Sequence, residues 1–243
     1  MGVLIHMSKA KFAVAACLPF LLLACGGKPE ATGNNVAEAE TEAPVELKVP
    51  AGSYKLEPSH ASLIWSIGHM GMSDYTARFA SFDATVTLDP ENLENSAVTL
   101  TIDPASVHTD YPLDYKALHA DSAYASWDED IAQDPGKLAA ADGAKISFVS
   151  TGVKQTGPRT ADVMGNLTMR GQTKPVTMKA TFNGAMESHP FMKKPVIGFN
   201  AEGSFKPSEF GVNLLGGALA DEVTVRFSGE FLQEPDAEAG AAS

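Results

Sequence analysis

Leu63-Ile64-Trp65-Ser66-Ile67-Gly68-His69 places Leu63, Trp65 and Ile67 on one face of an extended chain and Ile64, Ser66 and Gly68 on the other. A period of two is the signature of a β-strand with one dry face. Phe82, Ala84, Val86 and Leu88 alternate in the same way with Asp83, Thr85 and Thr87, and Val98, Leu100 and Ile102 alternate with Thr99 and Thr101. Similar runs follow at 146–148, 167–169, 176–182, 199–205 and 223–231, all rich in Val, Ile, Thr and Phe. Threonine fills much of the opposite face, which is the habit of antiparallel strands with one wetted side. About eight such strands sharing one dry face close into a barrel or a sandwich.

Turn chemistry separates the runs. Asp89-Pro90 and Glu91-Asn92 follow one strand, and Gly157-Pro158 lies in a later gap. Gly171 to Pro175 is expected to be a turn, as is Asn183-Gly184. Residues 111–141 break the alternation and read as one or two short helices covering an end or side of the sheet, with a further helical turn near 216–220. The acid-rich piece Asp121 to Asp134 lacks the spacing of a calcium loop and reads as a solvated helix face.

The flanks have other compositions. Lys9 and Lys11 lead into an apolar run from Phe12 to Ala24, and Cys25 follows directly. Charge, apolar stretch and small residue form a secretory leader. The apolar run is too short for a membrane span, which needs about 20 residues. A cysteine at the cut site is what a bacterial lipoprotein signal requires, so residues 1–24 are expected to be removed and Cys25 to carry the lipid, palmitate-type chains included. Met7 opens a better-proportioned leader than Met1. Residues 25–50 read as the lipidated cysteine and a flexible tether, 51–233 as one folded domain, and 234–243 as a disordered acidic tail. The expected location is the cell envelope, facing the periplasm, at the outer membrane because Gly26 replaces a retaining aspartate.

The chain has 18 basic and 30 acidic residues, a net charge of −12. That charge disfavours nucleic acid and anionic lipid surfaces. Of two cysteines, Cys17 falls in the leader and Cys25 is used by lipid, so no disulfide is expected. His60, His69, His108, His119 and His189 show no tight metal-ligand spacing, and no nucleophile elbow, phosphate loop or dinucleotide fingerprint occurs. No metal, cofactor or enzymatic activity is expected. His69 continues the inward parity of Leu63, Trp65 and Ile67. It reads either as a core histidine bonded to backbone or as a polar group at a cavity mouth. His60 reads as a turn or edge residue.

Five blocks, in order, resemble the YceI-like, polyisoprenoid-binding proteins. They are Tyr54 to His60 with Leu63-x-Trp65-x-Ile67-x-His69, Ala77 to Phe82, Ile146 to Ser150, Gly165 to Val176, and Glu209 to Val212 with Asp221 to Val223. The resemblance implies an all-β fold, an extended lipocalin-like antiparallel barrel of about eight strands whose apolar interior holds a long isoprenoid chain. Glu57, Ala61, Ala77 and Ala84 depart mildly from the family pattern. Pro207 stands where an arginine is common, and the middle segment from Tyr111 to Ala144 differs.

The expected ligand wall is Leu63, Trp65, Ile67, His69, Phe79, Phe82, Val86, Leu100, Ile102, Phe148, Leu167, Met169, Met178, Phe182, Phe199, Phe205, Phe210, Val225 and Phe227. The expected function is a lipid-anchored, non-enzymatic carrier for an isoprenoid-like chain, a quinone among the candidates, or for another long-chain amphiphile. An accessory protein with a closed core and a lipid-acting enzyme are the alternatives, and oligomeric state is left open. The expectation for Cys25 is directly measurable. Intact mass of the native protein should show an acylated chain beginning at Cys25, and Cys25→Ser should abolish both the adduct and membrane association.

Overall fold

The computed structural model describes Val45 and residues 47–235. The expected leader, Cys25, most of the expected tether and the expected tail beyond 235 lie outside the described residues. The strands are β1 (Gly52–His69), β2 (Ser73–Phe79), β3 (Phe82–Leu88), β4 (Ala97–Ile102) and β5 (Val107–His108), then β6 (Ile146–Gln155), β7 (Thr160–Met169), β8 (Gln172–Met186), β9 (Val196–Phe205) and β10 (Leu219–Gln233). Two helices, α1 (Tyr115–Leu118) and α2 (Trp127–Gln133), lie between β5 and β6.

Eight strands form a closed antiparallel barrel, in the order β1-β3-β4-β6-β7-β8-β9-β10 and back to β1. The first strand serves two neighbours on its other edge. Gly52–Lys55 pairs with β3, whereas Leu63–His69 pairs with β2. Among the described residues the outer edge of β2 is met only by the short β5. The gap this leaves toward the upper rim, where β1 ends, is covered by the segment carrying α1 and α2.

Closure forces a local adjustment in β1. Leu56 pairs with Phe231 and Leu63 with Phe227, but between Glu57 and Ser62 the first strand runs five residues while β10 runs only from Glu230 to Ser228. Three extra residues reverse the parity. Tyr54 and Leu56 face inward below the bulge, and Leu63 and Ile67 face inward above it. Along β10, Val223, Val225, Phe227 and Phe231 keep one parity throughout. His60 therefore lies inside a strand, on the bulge, rather than at its edge. It is exposed, and Nδ1 lies 2.6 Å from a Glu57 oxygen.

Other expectations are corrected. The two-residue turn Arg170-Gly171, both with positive φ, joins β7 to β8, so Pro175 is strand and not turn. Pro175 is tolerated because, among the described residues, 172–178 pair with β7 alone and their other edge has no ladder partner. Asn183-Gly184 is a bulge within β8 rather than a turn. The end of the tether is not free. Val49 is buried, and Leu47 packs with it against the floor cluster of Tyr54, Leu56, Leu88, Ile197 and Phe231. The Tyr54 hydroxyl donates to the Pro50 carbonyl at 2.7 Å. Glu234, placed in the tail, donates its backbone N–H to the Ser53 carbonyl at 2.8 Å.

The acid-rich segment also folds differently from a solvated face. Ser126 caps α2, accepting from the Glu129 N–H at 3.1 Å, while the Glu129 carboxylate accepts from the Ala125 N–H at 2.7 Å. This is close to a capping box, and Asp128, Glu129 and Asp130 suit the positive end of the helix. Asp130, however, is buried. It accepts from the Tyr115 hydroxyl at 2.7 Å and from the Lys137 ammonium at 2.5 Å.

The ring closes on itself, and its core clusters, with Leu47 packed against one of them, lie within residues 47–233. Ile197 has no exposed surface. Ile197→Ala is expected to lower stability by about 2–5 kcal/mol through lost packing and a residual void. Urea unfolding should show a lower midpoint with an unchanged slope.

Candidate functional site

The barrel is hollow. A cavity of about 540 Å³ runs along its interior from Leu88, Leu93 and Ser96 at the floor to His69, Asn213 and Leu215 at the upper rim. The volume lies within the usual range for ligand pockets, about 300–1,000 Å³. The interior stays open because much of one wall is small: Ala161, Ala180, Ala201 and Gly203 all face the cavity from β7, β8 and β9, and Ala84 faces it from β3. Elsewhere rings take up space where glycine permits. A Cβ at Gly165 would meet the Phe148 ring at 2.3 Å, and one at Gly229 would meet the Phe227 ring at 2.7 Å.

Sixteen of the nineteen expected wall residues line this cavity: Leu63, Trp65, Ile67, His69, Phe79, Val86, Leu100, Ile102, Phe148, Leu167, Met169, Met178, Phe199, Phe205, Val225 and Phe227. Three do not. Phe82 packs edge-on against Phe227, 6.3 Å between centroids, and supports the wall from the side. Phe182 borders a separate recess of about 50 Å³ with Val45 and Leu47. Phe210 is buried on the short helical turn 207–210 and packs edge-on against Phe205 at 5.4 Å.

His69 is not a core histidine. It is exposed on the upper rim, and its ring makes no hydrogen bond or ion pair among the described residues. The β1–β10 register shifts just before it, between Ile67 and His69, which carries the strand end away from the interior.

The upper end holds most of the polar groups at the cavity, and sequence reading missed several of them. Tyr75, Trp127 and Lys137 come from β2, α2 and the turn after α2. Trp127 Nε1 donates to the Tyr75 hydroxyl at 2.7 Å, which fastens α2 to β2. Burial pushes the Tyr75 phenol upward in pKa, so it stays neutral as an acceptor. Lys137 sits 5.0 Å from the Trp127 ring centre and lies 2.5 Å from Asp130 and 3.6 Å from Asp134. Its charge is matched before any ligand arrives. Period-two reading could not find Trp127 or Lys137 because neither lies on a strand. The parity of Val163, Val176 and Val223 could have found those three wall residues. Trp65 contributes a buried indole N–H that has no hydrogen-bond partner among the described residues.

Arg170 latches the upper end. From its left-handed turn position its Nε–H donates to the Phe210 carbonyl at 3.0 Å and its Nη1–H to the Lys137 carbonyl at 2.5 Å. The Asn213 N–H adds a bond to the Gly136 carbonyl at 2.7 Å. The cover after α2 and the segment from Pro207 to Asn213 are thereby joined across the rim. Pro207 lines the cavity as part of that segment.

The polar cluster on the β1 bulge is not arranged as a relay. Glu57, Ser59 and His60 meet on the β1 bulge, but the Ser59 hydroxyl and the Glu57 carboxylate both approach the same ring nitrogen, Nδ1. A relay needs the hydroxyl and the carboxylate on opposite nitrogens. Among the described residues no group of three or more His, Cys, Asp and Glu side chains is placed to hold a metal ion.

Known proteins share this architecture. A family model described as the YceI-like domain matches residues 54–231. A UPF0312 protein of Pseudomonas fluorescens is 37% identical over 167 residues, covering 68% of this chain and 79% of its own length. A UPF0312 protein of Pseudomonas putida strain GB-1 is 37% identical over 165 residues, covering 67% and 77%. Among solved structures, Burkholderia cenocepacia BcnA is similar with a TM-score of 0.58 at 20% identity, over 72% of this chain and 98% of that one. A Campylobacter jejuni YCEI protein is similar with a TM-score of 0.53 at 21% identity, over 70% and 91%. At these identities the two structures share the fold.

Arg170→Lys is expected to destabilise the protein by about 1.5–3 kcal/mol, because an ammonium cannot serve two separated carbonyls as the guanidinium fork does. Hydrogen exchange should accelerate first at residues 134–138 and 207–213, with the strands of the ring less affected.

Proposed function

The chain belongs to the YceI-like domain family, and on that premise we propose that its barrel carries or sequesters a long apolar chain without chemically altering it. The observation that carries the reading is the cavity: about 540 Å³, extended along the barrel and walled by carbon over nearly its whole length. Such a tube suits an unfunctionalised tail. Each methylene moved from water into it contributes up to about 0.8 kcal/mol. A ligand with polar groups along its length would meet almost no partners inside.

The ligand class proposed is an isoprenoid-like chain or another long-chain amphiphile, with quinones among the candidates. Its polar end would lie at the upper rim, where His69, Ser73, Asp74 and Asn213 border the cavity. Lys137 is already paired with Asp130 and Asp134, so an uncharged polar end suits this rim better than a strongly anionic one. The accessory-protein reading requires a filled core, and the open interior weighs against it. The sequence features upstream of the barrel support a lipid-anchored protein of the bacterial envelope, with acyl chains on Cys25 holding it at the outer membrane.

Organic extraction of gently purified protein, followed by mass spectrometry, identifies the cargo. Ala84→Phe tests the cavity itself. Ala84 is buried, faces the lumen and is the smallest inward side chain of β3. In a carrier, the added ring displaces lipid while stability changes by less than the roughly 1–3 kcal/mol expected for overpacking a filled core. Full destabilisation with no lipid in either protein would refute the carrier.

A further inference from the structure

Two loops at the upper rim expose large apolar side chains in backbone conformations that disfavour them. In the β1–β2 turn, Met70 has φ 54° and is 59% exposed, and Met72 is 84% exposed. Across from it, Leu215 has φ 51° and is 49% exposed. The left-handed region suits glycine and asparagine and strains residues such as methionine and leucine. The two loops are tied together by the Met70 N–H donating to the Ala218 carbonyl at 2.8 Å.

Arg170 shows what can justify a poor residue at such a position. It occupies the left-handed site of the β7–β8 turn, and its side chain is used to hold two carbonyls. Met70 and Leu215 have no such internal use. Met70 follows His69 in the chain, and His69, Leu215 itself and Leu219 line the cavity. The apolar rim is thus continuous with the apolar interior. An apolar chain exposed to water on its way into the barrel costs free energy in proportion to its area. A rim immersed in the phase that holds the chain removes that exposure.

We infer that Met70, Met72 and Leu215 insert into a lipid bilayer, placing the cavity mouth against the membrane so that cargo moves directly between the two. The inference rests on the carrier reading for its purpose, while the docking is measured separately. The chain is net −12, and Asp74, Asp221 and Glu222 are exposed on the strands below the rim, where the exposed Lys206 has its charge opposed by Asp221. Attraction to anionic lipid therefore does not contribute. Docking is by apolar insertion, does not require anionic headgroups and persists at high salt.

The test is flotation of residues 26–243, which lack the leader and the anchor cysteine, with phosphatidylcholine vesicles at low and high salt. The rim variant is M70N/M72Q/L215N, and L215N alone is a second variant. Asparagine suits the left-handed backbone, so neither should lower the thermal midpoint. Phe191→Ser, at a position 85% exposed in the β8–β9 connection at the opposite end, is the control. The expected result is salt-insensitive flotation of the parent and of Phe191→Ser, a loss of about tenfold or more in the triple variant, and a smaller loss in L215N. Uptake of a fluorescent isoprenoid from vesicles should slow in parallel, while uptake from detergent is retained. Flotation equal in parent and rim variant, or no flotation of the parent, overturns the inference. A parent that dimerises through the rim, losing its dimer in the variant and never floating, also overturns it by assigning the rim to a second copy. Rim-dependent flotation with no extractable lipid and no isoprenoid uptake supports docking while refuting the carrier.

Discussion

The pairing of β1 with β10 is the constraint on which the rest depends. Without it the ring is an open sheet whose dry face has nothing to enclose. The two strands meet over nearly their full length, yet the inward residues of β1 fall on even numbers below Glu57 and on odd numbers above Ser62. The three-residue excess in the bulge reconciles these two registers. It lets the lower half of β1 join β3 and the upper half join β2 while both halves keep their apolar residues inside.

A hollow barrel must resist collapse, because packed interiors are the ordinary outcome of folding. Here bulk and small residues are divided by position. Tyr54, Ile197 and Phe231 fill the floor, with Val49 and Leu47 packed on the same cluster. Above it, alanines and a glycine on β7, β8 and β9 leave the lumen open. Continuous hydrogen bonding around the ring fixes its circumference, which limits how far opposite walls can move together.

The upper end is assembled differently, from side chains that bridge separate segments. Trp127 reaches Tyr75, Arg170 reaches Phe210 and Lys137, and buried Asp130 collects Tyr115 and Lys137. Each bridge joins an irregular piece to a strand or to another irregular piece. Such contacts open at less cost than the ladder of a closed ring. The cavity is therefore expected to open at this end, and the floor is expected to stay shut.

Period-two alternation was enough to identify the eight strands of the ring and much of the cavity wall, though not β2 or β5, because an inward position on a strand is determined by neighbours two residues away. Leu63, Leu100, Phe148, Leu167 and Met178 were legible for that reason. Local signals misled where tertiary pairing overruled them: Asn183-Gly184 carries turn chemistry but lies in a bulge, and Arg170, which is not a usual turn residue, makes the hairpin with Gly171 while its side chain serves as a latch. The parity reversal in β1 could not be read from β1 alone, since it is defined only by the register of β10, far away in the chain. Trp127, Lys137 and Asp130 reach the cavity end through the placement of a helix on the barrel, which no periodicity encodes. Sequence by itself determined an all-β protein with apolar inward faces. Ring closure, which couples the first strand to the last, decided that those faces enclose a cavity, and the packing of irregular segments decided where it opens.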